Sequence, residues 1–452
     1  MVTIDQALQR IKGNLEAYVP RCLVQRLADQ AQLCRRRRTL TPVVTTFLFL
    51  KQILHGNTAC SHLRHLAGLA FSDAAYCRAR GRLPFGYFHR LQNAVTQECF
   101  DADPLPATER WRGHEVYLID GSSFSMPDTP DLQQAFGQPG NQAPGCGFPT
   151  AHLLLACQGQ TGYIRHALAA PLRTHDVSQV SLVHPGLPVN ALLIGDRALC
   201  SYAHLALCRQ GGRHGLFRAH PRLIVDFRCR RRYAPPETSS RDARGLPRSR
   251  WLRRLGKDDQ LVEYFRPKQR PDWMTPEQYA AIPETLRARE LRYRVVVPGR
   301  RTRVVTLVTT LLDSRRYSRR ALAALYGLRW TVESNLAHLK RTLGMDVLHC
   351  KTFVGVMKEL TMFVLAYNLV RRVMRQAGER QGVPAKRISF KDALRWLVQA
   401  RADEALPPLR VIPERPGRSE PRVQKRRPKP YDVMSRPRSV LRQALHHQED
   451  ET

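Results

Sequence analysis

The chain has 452 residues, 43% of them hydrophobic, which at roughly 150 residues per domain gives a prior of about three domains with real cores. It carries 73 Lys plus Arg against 38 Asp plus Glu, a formal charge of +35 with an isoelectric point of about 10.7. This balance argues against a disordered tail and against small neutral substrates, and it ranks nucleic acid first among partners and an anionic membrane surface second.

The first hundred residues read as helical. Ile4, Leu8, Ile11 and Leu15 recur at helical spacing, and Thr41-Pro42 opens an apolar run that ends at Gly56. Short helices are expected over Cys60 to Ala67, closed by Gly68, and over Ser72 to Arg82, closed by Pro84. Two short helices across a glycine turn permit a helix-turn-helix, with Arg35 to Arg38, Arg78, Arg80 and Arg82 as phosphate contacts. An ordinary helical subdomain with solvated basic faces is an equal alternative.

From Val116 the texture changes to short apolar runs bounded by Gly, Pro and Asp: Val116 to Ile119, His152 to Cys157, Tyr163 to Leu168, Ala191 to Ile194 and Gly215 to Arg218. These are expected strands of a mixed α/β sheet. Residues 221 to 257 carry twelve Lys or Arg against three acids and read as a basic, loop-rich insertion, with strand character returning at Tyr293 to Val297 and Arg303 to Leu312. Ser318 caps a long helical pattern reaching Leu343, with Gly344 just past its end, and a further helix is expected over Val354 to Met374. The stretch Pro407 to Pro437 holds eight prolines and the cluster Lys425-Arg426-Arg427, the composition of an extended basic arm.

The eleven cysteines are scattered without a Cys-x-x-Cys pair, so reduced thiols in a cytoplasmic protein are expected, most of them packed as small core residues. No apolar stretch reaches the roughly 18 residues of a bilayer span, and no signal peptide is visible, so no membrane domain is expected. His114, His152, His166, His175 and His184 lack metal-ligand spacing and read as surface or strand residues. Ser122 and Ser123 lack a nucleophile elbow, and the glycines from Gly137 to Gly147 lack the Gly-Lys-Ser or Gly-Lys-Thr ending of a phosphate loop.

Three acids stand out in so basic a chain. Asp120 closes the run Val116 to Ile119, and Asp196 follows Ala191 to Gly195, so both carboxylates are expected to project from strand ends, a usual way to build an oxygen site for a hard cation. Either alone could be a turn-forming Asp. Tyr326, Arg329, Glu333 and Lys340 follow the spacing Tyr-x2-Arg-x3-Glu-x6-Lys, which puts all four near one helix face. Such a face is poor core material and suits holding a metal while gripping a phosphate backbone; the plain alternative is a solvated face with an Arg329 to Glu333 pair.

With Asp120-Gly-Ser, Gly195-Asp196-Arg197 and the Tyr326 to Lys340 motif, the chain resembles the DDE transposases of bacterial insertion sequences, in the branch called the IS-four family. The resemblance covers about 116 to 374, with Glu420 to Pro430 like the basic C-terminal segment of such proteins. Leu199 stands where that family often has an aromatic. The resemblance implies an α/β, RNase H-like mixed-sheet core interrupted by a β-rich insertion, with an N-terminal helical domain. The expected division is 1–110 helical, 111–220 first core segment, 221–315 insertion, 316–376 core helix bearing Glu333, and 377–452 C-terminal helix and basic arm.

It further implies that Asp120, Asp196 and Glu333 bind two Mg²⁺ ions, with Mn²⁺ as a substitute, for DNA strand cleavage and strand transfer. DNA contacts are expected from Tyr326, Arg329, Lys340, Arg197, Arg230, Arg231 and Arg232, with Trp251 and Trp273 as candidate platforms for a flipped base, although a core position is the better reading of each Trp. The implied partners are double-stranded DNA, as terminal inverted repeats and target, and a second copy of the chain in the DNA complex, in a bacterial cytoplasm at the nucleoid. A domesticated DNA-binding descendant, a metal nuclease that does not join and an architectural basic protein are the alternatives.

Overall fold

The computed structural model describes residues 15–33, 39–140, 142–172, 176–239, 242–296, 302–400, 404–414 and 434–450, with a few isolated positions besides. Arg35 to Arg38, His175, most of the first expected helix and the basic cluster at Lys425 lie outside the described residues.

Among the described residues these helices precede the sheet: α1 (Arg21–Gln30), α2 (Pro42–Leu54), α3 (Cys60–Ala67), α4 (Asp73–Arg82) and α5 (Phe85–Ala102). Thr41 accepts a hydrogen bond from Val44 N with Pro42 in the first turn, where its missing N–H costs nothing. All of α2 from Val43 onward is buried, which accounts for its apolar sequence. Gly68 ends α3 in the left-handed region at φ 59°, and Ser72 caps α4 through Ala75 N. One expected phosphate contact is otherwise engaged: the Arg80 guanidinium packs 4.6 Å from the centre of the Phe49 ring and donates to Gln52 Oε1 at 3.2 Å. Arg78 and Arg82 are exposed.

Among the described residues nine strands form one sheet in the order β3-β2-β1-β4-β5-β9-β8-β7-β6. They are β1 (Val116–Ser125), β2 (Thr150–Gln158), β3 (Ile164–Pro171), β4 (Leu192–Gly195), β5 (His214–Arg218), β6 (Ser249–Gly256), β7 (Asp259–Phe265), β8 (Thr285–Val295) and β9 (Arg303–Thr309). β1, β4 and β5 are parallel and every other pair is antiparallel. The stretch expected to be loop-rich contributes β6, and β6 to β9 extend the same sheet through the pairing of Leu216 with Thr309.

Alternation along the strands gives the sheet two covered faces. Val116, Leu118, Leu153 and Ile194 join a core with α2, α5 and the long helix α12 (Phe353–Arg380), so the N-terminal helices share apolar packing with the sheet. Tyr117, Ile119, Leu154 and Leu193 pack on the opposite face under α7 (Asp176–Val183) and α8 (Tyr202–Gln210). α6 (Pro130–Phe136) lies between β1 and β2, and α9 (Pro276–Ala281) between β7 and β8. Contrary to the length expectation, α12 has 28 residues and is apolar enough to cross a membrane, but 78% of its apolar window is buried inside the protein, which its place in the core explains.

A carboxylate cluster on the parallel strands

β1 and β4 pair in parallel with Leu118 opposite Ile194, so Asp120 and Asp196 each stand two residues beyond the same rung. They therefore share one face and one end of neighbouring strands. β4 ends at Gly195, as expected, whereas β1 continues past Asp120 to Ser125, paired with β2, because only the β4 edge of the ladder stops there. Asp120 Oδ1 accepts from Gly121 N at 3.0 Å, and Asp196 Oδ1 accepts from Ala198 N at 2.8 Å, capping a short turn at Arg197 to Leu199. A Cβ at position 121 would lie 2.7 Å from Asp176 Oδ1 and from the His152 ring, which hydrogen-bond behind β1, so the Asp-Gly pair is fixed by space as well as by chemistry.

The Glu333 segment comes over these carboxylates as α10 (Arg319–Gly327) and α11 (Trp330–Ala337), followed by a π-helical turn over His338–Thr342. Ser318 caps α10 through Ala321 N, but the single long helix expected from the sequence is interrupted at Leu328-Arg329 and widened at its end. Gly344 turns the chain at φ 87°, and a Cβ there would stand 3.1 Å from Gly56 O. Arg329 reaches from the interruption to both acids: Nη1 is 3.3 Å from Asp120 Oδ2 and Nη2 is 3.2 Å from Glu333 Oε1. Lys340 Nζ donates to Ser122 Oγ at 3.2 Å and to Ser123 O at 2.5 Å.

Burial pushes the Asp120 carboxyl up to about 6; Arg329 and Gly121 N pull it down, and the negative charges of Asp196 and Glu333 push it further up. Tyr326 is buried, and its hydroxyl is pushed up to about 12 by desolvation against the pull of Arg329 and Arg218. Asp120, Asp196, Glu333, Arg329 and Tyr326 thus occupy one neighbourhood. Arg329 bridges two of these three carboxylates, and Asp196 adds its negative charge beside Asp120.

The family model for the transposase DDE domain matches residues 111–369. The chain belongs to this family. The DDE-family chain is also 23% identical over 380 residues to the transposase InsG for insertion sequence element IS4 of Escherichia coli strain K12, an alignment covering 80% of this chain and 78% of that protein. A solved structure with similarity is the piggyBac transposase synaptic complex with hairpin DNA, at a TM-score of 0.44 and 10% identity over 88% of this chain and 80% of that one. The mixed α/β sheet with its N-terminal helical region is the RNase H-like architecture of DDE transposases.

Other expected contact residues of this DDE-family chain divide by exposure. Arg197, Arg230 and Arg232 are exposed. Arg231 is not available to DNA: its guanidinium is enclosed, donating to Ser249 O at 2.6 Å and Ser249 Oγ at 2.8 Å with Glu290 at 4.0 Å, because the insertion sheet closes over it. Trp273 is half-buried against Met274, Ile282, Ala203 and Ala206, and Trp251 is half-buried on β6. Trp330, passed over in the sequence, is 60% exposed with the Arg329 guanidinium 5.5 Å from its ring centre; its place directly after Arg329 was the available signal.

His152 and His166 lie on β2 and β3, as expected, whereas His114 and His184 are buried outside the named strands. His114 is buried, with Nε2 2.8 Å from Tyr317 Oη and Nδ1 2.8 Å from Asn190 O. Among the described residues one cluster has the donor atoms to coordinate a metal ion: His184, His204 and Cys208, all buried, with ligand atoms within 4.8 Å of one another. The readable signal was His204-x3-Cys208, one turn apart on a helix.

Proposed function

We propose that the chain is an active DNA transposase that cleaves transposon ends and transfers the cut strand to target DNA through Asp120, Asp196 and Glu333. The observation that carries this reading is Arg329 shared between Asp120 and Glu333, with Asp196 on the adjacent parallel strand in matching register. Two acids bridged by Arg329, with Asp196 close enough to raise the Asp120 carboxyl, carry more negative charge than one guanidinium neutralises, and the burial of Asp120 increases its demand for positive charge.

All three groups are carboxylates; the backbone N–H bonds take one oxygen of Asp120 and one of Asp196, and Asp120 Oδ2, held by Arg329 at 3.3 Å, comes free for a ligand when that guanidinium turns away, a donor set that fits Mg²⁺ or Mn²⁺. When bound there, two such ions supply activation of the attacking oxygen and charge stabilisation of the leaving oxygen. Arg329 turns from the acids to grip a phosphate through two N–H groups, and Lys340, held over Ser122, meets another as a point charge. Tyr326 hydrogen-bonds beside the scissile phosphate, and exposed Arg197 lies along the strand. Trp330 and the insertion's Trp273 are candidate surfaces for an unstacked base.

The partners in this reading are terminal inverted repeats, target DNA and a second copy of the chain, in a bacterial cytoplasm. The domain limits follow the same reading: 1–110 as a helical DNA-binding region, 111–220 and 316–376 as the core, 221–315 as the insertion and 377–452 as the C-terminal arm. The test is to incubate the purified protein with an end-bearing duplex and Mg²⁺ and resolve the products. Nicked or hairpin species followed by joined strands support a transposase. Hydrolysis without joining would make the protein a nuclease, and binding without cleavage an inactive descendant.

A further inference from the structure

On the sheet face opposite Asp120, the layer under α7 and α8 is built from Val180, Val183, Leu187, Leu199, Leu205 and Phe217. Three of the polar side chains within it meet one another. His184, in the turn after α7, places Nε2 3.0 Å from His204 Nε2 and 3.7 Å from Cys208 Sγ. His204 and Cys208 are successive turns of α8, and His204 Nδ1 lies 2.8 Å from Leu199 O. A carbonyl can only accept, so Nδ1 carries the His204 proton and its Nε2 lone pair faces His184. An imidazole oriented by a carbonyl at one nitrogen while the other meets two more donor atoms is the arrangement of a metal-ligating histidine.

We propose that His184, His204 and Cys208 form a structural site for one thiophilic cation of the Zn²⁺ or Cu⁺ class, separate from the carboxylate cluster. Two imidazoles and a thiolate match borderline and soft cations and disfavour Mg²⁺, which prefers oxygen. Burial already holds both imidazoles neutral, the ligating form, with His184 pushed down to about 3 and His204 to about 4. Burial also holds the Cys208 thiol protonated, opposed by Arg213, whose guanidinium is anchored on Leu187 O at 2.6 Å. Binding forms one sulfur–metal and two nitrogen–metal bonds. The thiol proton leaves to solvent, the His184 proton moves from Nε2 to Nδ1, and nothing is oxidised. The cation would fasten α8 to the turn after α7 and brace the Leu199 carbonyl, three residues beyond Asp196.

The test uses the full chain stripped with a chelator and loaded with Zn²⁺ alone or Cu⁺ alone. Either ion should bind at one equivalent, raise the melting temperature and give an X-ray absorption shell of two nitrogens and one sulfur. Cys208→Ser should lose the bound ion, while Cys77→Ser should keep it. The absorption shell is read on the unaltered protein, so the proposal stays testable if Cys208→Ser fails to fold. No bound equivalent of either ion, retention in folded Cys208→Ser, or a shell with two sulfurs would overturn it; the last would place the ion at Cys60 and Cys77, whose Sγ atoms are 3.8 Å apart.

Discussion

The Arg329 guanidinium lies 3.3 Å from the Asp120 carboxylate across 209 positions of the chain, and the same group meets Glu333 at 3.2 Å. In the proposed reading Arg329 therefore supplies positive charge where a divalent ion would bind. Unit charges about 4 Å apart attract by roughly 4 kcal/mol at an effective dielectric of about 20, well above the 1.4 kcal/mol of a tenfold affinity change. Arg329→Gln should accordingly strengthen Mn²⁺ binding to the DNA-free protein by about tenfold or more. Electron spin resonance of free Mn²⁺ measures this, and unchanged or weaker binding would mean that Arg329 does not compete for the acids.

Lys340 donates to Ser122 and Ser123 on β1, so it is tied to the strand that carries Asp120. Lys340→Met should cost about 1 kcal/mol in stability, the worth of such a hydrogen bond. Cleavage and joining should fall much further, by about a hundredfold, if Lys340 holds the strand in line. Melting and product gels on the same preparation separate the two effects; a protein that melts early yet cuts and joins normally would make Lys340 a structural residue.

Arg231 and its exposed neighbours should part company. Replacing Arg230 and Arg232 with Ser should weaken terminal-repeat and random duplexes alike and reduce the salt slope by up to about 2, as loss of phosphate contacts requires. Arg231→Met should leave Glu290 without its buried cation and destabilise the fold by about 3 kcal/mol. Salt-dependent binding isotherms and denaturant melts check the contrast; selective loss on the terminal repeat would instead assign sequence reading to this loop.

His338, in the π-helical turn before Lys340, stacks on Phe390 with ring centres 4.4 Å apart, and burial pushes its imidazole down to about 4. The unfolded chain takes up this proton near 6.5, so the stability from the neutral ring is present above that pH and is lost as pH falls from 6.5 through 4, about 3 kcal/mol in all. His338→Phe should shift acid unfolding to lower pH. An unchanged acid midpoint would show that His338 titrates normally.

Much of this was written plainly in the chain. Thr41, Gly68, Ser72 and Ser318 mark helix ends through local capping chemistry, and Asp196 follows a fully buried four-residue strand, so both are readable without partners. β6 escaped notice because it is the sheet edge, where exposed Arg250, Arg253 and Arg254 interrupt the apolar alternation that reveals strands. Burial of Arg231 depends on Glu290, and that of Arg289 on Asp259, 30 positions away at 2.7 Å, relationships that composition does not carry. The same holds for His184 meeting His204 and Cys208. The break at Leu328-Arg329 falls within the span that the spacing of apolar residues reads as one helix.

The most direct measurement takes Asp120→Ala, Asp196→Ala and Glu333→Ala proteins, each shown to be folded, and follows DNA binding and Mg²⁺-dependent cleavage of an end-bearing duplex in parallel. The account predicts that every one of them loses cleavage and keeps its DNA affinity, because removing a negative charge does not weaken attraction to phosphate. Cleavage at the unaltered rate by any one of the three would contradict it.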